Sequence, residues 1–146
     1  MASAIVTGAS RGLGLALARA LATRRRSLVI DARGEQDLET ARAELAAMTE
    51  VVAVAGDVTS ESHRRALVAA AGDQVDLLVN NAGGLGPSPL PRLERYPLDQ
   101  LEVLYRVNTL APLRLIQLAL PLLSRQAAIL NITSDAAVEA YEGWGG

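Results

Sequence analysis

Apolar positions along the chain follow two alternating periods. Ala4-Ile5-Val6 is a short apolar run that ends in a glycine-rich turn, the pattern of a buried strand. From Leu13 to Leu21 the residues are almost all Leu and Ala, with Arg19 the one charge, which predicts a helix largely buried against a sheet. Leu28-Val29-Ile30 predicts a second strand. Glu35 to Met48 carries Leu38, Ala41, Leu45 and Met48 at helical spacing, with Glu and Arg between them, and reads as a half-exposed helix. Val51 to Val54 is a third strand. A helix opens at Ser60, where Ser60 and Ser62 are N-cap types and Leu67, Val68 and Ala71 form the apolar side. Val75 to Val79 is a fourth strand. Pro97 to Ser124 reads as a long helical stretch that Pro112 and Pro121, lacking amide hydrogens, should kink or split. Ala128 to Ile132 is a fifth strand, and after Ser134 the pattern loosens.

Strands apolar on both faces, alternating with helices, predict a parallel sheet covered by helices on both sides, in one domain over residues 1–146. Gly83 to Pro91 is the one breaker-rich stretch and is expected to be a surface loop near a ligand cleft. Composition then narrows the chemistry. The 14 basic residues of the 146 are all Arg, against 16 Asp plus Glu, for a net charge of -2. Without a basic excess, no nucleic-acid partner is expected. The absence of Cys removes disulfides, thiolate metal sites and Cys nucleophiles, and no metal is expected. The absence of Lys removes Schiff bases and P-loop phosphate binding. Aromatics make up 3% of the chain, so the core must be Ala, Leu and Val packing. The start lacks the basic segment of a signal peptide, and the most apolar stretch, Leu110 to Leu123, is interrupted by Arg114 and Gln117. No membrane partner and a cytoplasmic location are therefore expected.

The first strand runs into Thr7-Gly8-Ala9-Ser10-Arg11-Gly12-Leu13-Gly14, and a helix follows. Neither the usual G-x-G-x-x-G spacing nor a P-loop matches, but the physical logic is the same. Gly8 permits a sharp turn off the strand. Gly12 and Gly14, without a Cβ, let a pyrophosphate approach the backbone and the helix pack on the sheet. The helix N-terminus adds free amide hydrogens and partial positive charge. The other reading, a purely structural turn, fits poorly with three glycines and no acid in eight positions.

The turn, Thr-Gly-x-x-x-Gly-x-Gly, resembles that of the short-chain dehydrogenase/reductase family of the classical type, a Rossmann-type doubly wound α/β fold. Further motifs occur in the family's order: Asp57-Val58 after the third strand, Asn80-Asn81-Ala82-Gly83 after the fourth, Asn108 in the long helix, and Ser134 after the fifth. The resemblance spans Thr7 to Ser134. It implies an oxidoreductase that moves hydride between a nicotinamide and a small carbonyl or alcohol substrate, acting as a homo-oligomer. It assigns cofactor contacts to Gly8, Ser10, Arg11, Gly12, Leu13, Gly14, Ala32, Arg33, Asp57, Val58, Asn81, Ala82 and Gly83. Asn108 would support a proton relay and Ser134 would orient the substrate oxygen.

The end of the second strand bears on the cofactor. An acid there binds the ribose hydroxyls of NAD, and Arg favours the 2′-phosphate of NADP. Counted from Thr7, the family's discriminating position falls on Ala32. Asp31 then points to the opposite face, because side chains alternate along a strand. Arg33 and Arg11 favour NADP(H) over NAD(H), since guanidinium donors match phosphate geometry. A slip of one residue would restore Asp31 as an NAD-type acid.

The family's Tyr-x-x-x-Lys pair is missing. Its Tyr would fall at position 147, so the chain is expected to be the N-terminal part of a longer dehydrogenase, with its sheet incomplete at the C-terminus and inactive alone. Tyr141 is read as a loop residue, Tyr96 and Tyr105 as packing, and His63, the one His, as solvated. The competing readings are a non-catalytic dinucleotide-binding or partner-binding protein and an unstable fragment.

Overall fold

A computed structural model describes residues 3–142 and 144; Met1, Ala2, Gly143, Gly145 and Gly146 lie outside it. The elements run β1 (Ser3–Val6), α1 (Gly12–Thr23), β2 (Ser27–Ala32), α2 (Glu35–Ala46), β3 (Val51–Ala55), α3 (Glu61–Ala70), β4 (Val75–Asn80), α4 (Leu98–Tyr105), α5 (Ala111–Ala119) and β5 (Leu123–Asn131). The described strands form one parallel sheet in the order β3-β2-β1-β4-β5. The chain moves outward from β1 on one side, then crosses back to start β4 on the other. That is the doubly wound arrangement predicted from the alternation of strands and helices.

Side-chain alternation divides the core in two. On one face Ala4, Val6, Leu28 and Ile30 meet Ala18 and Ala22 of α1 and Leu38, Ala41 and Leu45 of α2. On the other, Ile5, Val29 and Leu78 meet Leu67 and Val68 of α3 and Leu115 and Ala119 of α5. Each strand therefore feeds both layers, which is why its sequence is apolar at consecutive positions. Asp31 shares its face with Val29 and so points toward α3, while Ala32 continues the face of Ile30.

The stretch from Pro97 to Ser124 departs from the single helix its periodicity predicts. A 3-10 turn at Leu93–Arg95 precedes α4, a π-helical turn at Arg106–Leu110 joins α4 to α5, and a 3-10 turn at Leu120–Leu122 ends it. Pro112, with no amide hydrogen, lies in the first turn of α5, and the Ala111 amide donates five residues back to Arg106. The kink expected at Pro112 thus appears as a π turn just before it, and Asn108 rides on that turn. β5 begins at Leu123, inside the predicted helix, and is longer than the predicted strand. Its pairing with β4 jumps from Val75↔Leu123 to Leu77↔Ala128, so the residues between bulge outward.

Two single-residue expectations are corrected. His63 is buried rather than solvated, and Tyr105 is exposed rather than packed. Tyr96 is packed as expected. Ser60 occupies the N-cap of α3, but its side chain makes no capping bond and pairs instead with the Ser62 hydroxyl at 2.9 Å. Among the described residues no helix is long and apolar enough to cross a membrane.

Candidate functional site

Of the predicted site residues, the glycine turn and Asn81-Ala82-Gly83 meet at the carboxyl ends of β1 and β4, where the chain reverses its direction of winding. In open α/β sheets this is where ligands bind. Thr7 is the pivot. Its hydroxyl accepts from the Asn81 and Ala82 amides, both at 2.9 Å, and donates to the Val79 carbonyl at 3.3 Å. The Asn81 side-chain amide donates in turn to the carbonyls of Thr7 (2.9 Å) and Gly8 (3.2 Å). The glycine turn after β1 and the Asn81-Ala82-Gly83 segment after β4 are therefore bonded into one unit.

Three glycines do different work in that unit. Gly8 has φ +66°, the left-handed region, and a Cβ on it would press on Ala82 and Asn81. Gly14 is buried at the start of α1, where a Cβ would overlap the Gly8 carbonyl and the Asn81 side chain. Gly12 also has a positive φ, +57°, yet nothing lies within 4 Å of where its Cβ would stand. Its backbone faces open space at the N-terminus of α1. Arg11 caps that helix with extended backbone and no side-chain bond, and no acid lies in the first turn. No side chain of the cap residue bonds these N-terminal amides. Arg11, Gly12 and Leu13 are exposed, and Ser10 is half-buried.

Ala32 is buried at the end of β2, and Arg33 follows it into solvent. The Asp57 carboxylate accepts from the Thr59 amide and hydroxyl, both at 2.8 Å. Those donors, the amide above all, hold its pKa below the ordinary value, aided by the nearby charge of Arg33. Val58 beside it is buried. Asn108 is bonded twice to Gly84, accepting from its amide at 3.0 Å and donating to its carbonyl at 2.9 Å. It thereby holds the loop that leaves β4. Ser134 stays apart from this network. Its hydroxyl donates to Asp135 at 3.1 Å and accepts from the Ala136 amide at 3.2 Å, capping a 3-10 turn at Asp135–Ala137. The Tyr141 hydroxyl donates to Glu139 and Asp135, which push the phenol up. A proton-transfer tyrosine needs the opposite shift.

A family model described as short chain dehydrogenase matches residues 2–146. This chain belongs to the short-chain dehydrogenase/reductase family. Such proteins are oxidoreductases that bind nicotinamide cofactors. One relative, 2-(R)-hydroxypropyl-CoM dehydrogenase of Xanthobacter autotrophicus, is 39% identical over 96% of this chain and 59% of its own length. The alcohol dehydrogenase of the archaeon Thermococcus sibiricus, solved with 5-hydroxy-NADP, superposes with a TM-score of 0.90 at 32% identity, covering 99% of this chain and 63% of that one. A 7α-hydroxysteroid dehydrogenase solved with NADH superposes with a TM-score of 0.87, also at 32% identity, covering 97% and 56%. The chain spans about half the length of the curated relatives it matches.

One residue at the site escaped the sequence reading. His63 sits behind the glycine turn with its Nε2 2.9 Å from Asp31 Oδ2. The signal was present: an acid inside the apolar run Leu28 to Ala32 needs a buried partner, and His63 lies one helical turn before the core residue Leu67.

Proposed function

We propose that residues 1–146 form the single dinucleotide-binding domain of an enzyme that moves hydride between NADP(H) and a small carbonyl or alcohol. The observation that carries this reading is the open cradle at Gly12. A left-handed glycine facing empty space, at a helix N-terminus with no side-chain cap and no acid in its first turn, fits a pyrophosphate. When bound, the nicotinamide supplies or accepts the hydride.

The chain's own residues divide the remaining tasks. Gly8, Ser10, Gly12, Leu13 and Gly14 receive the pyrophosphate, and Asp57 and Val58 face the adenine. Asn81, Ala82 and Gly83 border the cofactor on the β4 side, with Ala32 beneath it. Arg33, with Arg11, holds the 2′-phosphate. Asp31 supports this choice over NAD(H), because both its carboxylate oxygens are engaged inside the protein. Ser134 orients the substrate oxygen, and Asn108, through the Gly84 loop, supports the proton relay. Residues 1–146 hold no Lys, so in this reading the Tyr-x-x-x-Lys pair lies outside them, and they bind nucleotide without turning it over. The protein works in the cytoplasm as a homo-oligomer, and exposed Leu98, Val103, Tyr105 and Leu113 on α4 and α5 support the oligomer.

Titration of NADPH and NADH by nicotinamide fluorescence tests the assignment. Wild type is expected to prefer NADPH, and Arg33→Ala to lose about tenfold in NADPH affinity, one charge-assisted contact's worth, with NADH little changed. Unchanged NADPH affinity in Arg33→Ala would overturn the NADP(H) assignment.

A further inference from the structure

Asp31 and His63 are both more than nine-tenths buried, and neither belongs to the family motifs quoted above. Burying a carboxylate is costly unless its oxygens are fully bonded. Here both are. Oδ1 accepts the Gly8 amide at 2.7 Å, and Oδ2 lies 2.9 Å from His63 Nε2. The backbone carbonyl of Asp31 accepts the next amide, that of Ala9, at 2.8 Å. A carboxylate only accepts, so the proton of this contact sits on His63 Nε2. One residue of β2 therefore grips two consecutive amides of the glycine turn, and α3 braces it from behind. The imidazole also packs against Gly56, where a Cβ would overlap the ring. The ring thus reaches the segment that leads into Asp57. A single buried side chain meets the ends of β2 and β3 and, through Asp31, the turn after β1.

We propose that His63 is a positioning residue for the nucleotide site: through Asp31 it fixes the Gly8 amide and so sets the glycine turn in its receiving conformation. This rests on the reading of that turn as the pyrophosphate site. Gly8 stands in the left-handed region, and the carboxylate that accepts its amide comes from β2, not from the turn. Its geometry depends on what lies behind it, and a preorganised turn binds more tightly than one that must be ordered by its ligand.

The test measures NADPH affinity by fluorescence in the full chain, at a temperature where circular dichroism shows each variant folded. A second reading follows the Gly8 amide by proton–nitrogen NMR without nucleotide. His63→Leu removes the donor and keeps the volume. It is expected to weaken NADPH binding about tenfold, and to move the Gly8 amide proton upfield while its exchange quickens. His63→Gln, which can still donate to Asp31, should recover most of the affinity. Asp31→Asn is isosteric and stands in should the Leu variant not fold. It replaces a charge-assisted bond by a neutral one and should weaken binding about threefold. A lower thermal midpoint with wild-type affinity and an unmoved Gly8 amide would mean that the pair only stabilises the fold, and would overturn this inference alone. A wild type that binds neither NADPH nor NADH would overturn the nucleotide reading and this role with it.

Discussion

Two strands of similar composition meet opposite fates in this sheet. Leu28-Val29-Ile30 in β2 is almost wholly buried, whereas in Ala128-Ile129-Leu130 of β5 the Ile is 37% exposed and the Leu 42%. Both runs are apolar on both faces. β2 lies between β1 and β3, with α1 and α2 on one face and α3 on the other. β5 pairs with β4 alone and is an edge among the described strands. An apolar run therefore marks a strand suited to an interior, and burial comes only from layers packed over it.

Point changes can break or sharpen that contrast. Leu78→Ala, in the fully buried layer under α5, should cost about 3 kcal/mol in urea unfolding. A loss below 1 kcal/mol would mean that this layer is not the core it resembles. Gly14→Ala forces a Cβ into the Gly8 carbonyl and should cost about 2 kcal/mol while abolishing nucleotide binding. Leu130→Ala on β5 should cost only about 1 kcal/mol, because much of its surface already faces water. A cost equal to that of Leu78→Ala would erase the distinction between the two regions.

The smallest expected effect lies at the seam between α3 and α5. Arg114 donates to Glu61 at 2.8–3.1 Å, and Arg64 adds a bond at 3.0 Å. These guanidinium donors, Arg114 first, lower the Glu61 carboxyl to about 2. A depressed carboxyl stabilises the fold above its ordinary pKa and stops doing so as pH falls through the folded value. The thermal midpoint of Glu61→Gln should therefore lie slightly below wild type from pH 7 to 5. The gap should close between the ordinary value of 4.5 and about 2. A gap that persisted at pH 2 would show that the ion pair is not its source.

Much of this is legible in the amino-acid sequence. The period of apolar residues locates the first four strands, the second half of β5 and the first three helices, because a strand feeding two layers and a helix feeding one leave different spacings. Proline marked where the long helical stretch would break. It did not mark that the break would be a π turn carrying Asn108, since a missing amide names the lost bond and not the rearrangement that replaces it. The start of β5 was hidden for a related reason. Leu120 to Leu123 has the same apolar character in a helix or a strand, and only pairing with β4 decided between them.

The same division runs through the candidate site. The glycines at 8, 12 and 14 and the order of the surrounding motifs were determined by sequence alone, because backbone that must turn sharply or approach a ligand closely restricts the residue type at that position. Alternation along β2 also told which way Asp31 points. What Asp31 meets there belonged to the tertiary structure. His63 lies 32 residues away, on a helix whose polar start suggested solvent. Only the packing of α3 against β2 and β3 closed that distance, and no local pattern encodes a contact made by folding one layer onto another.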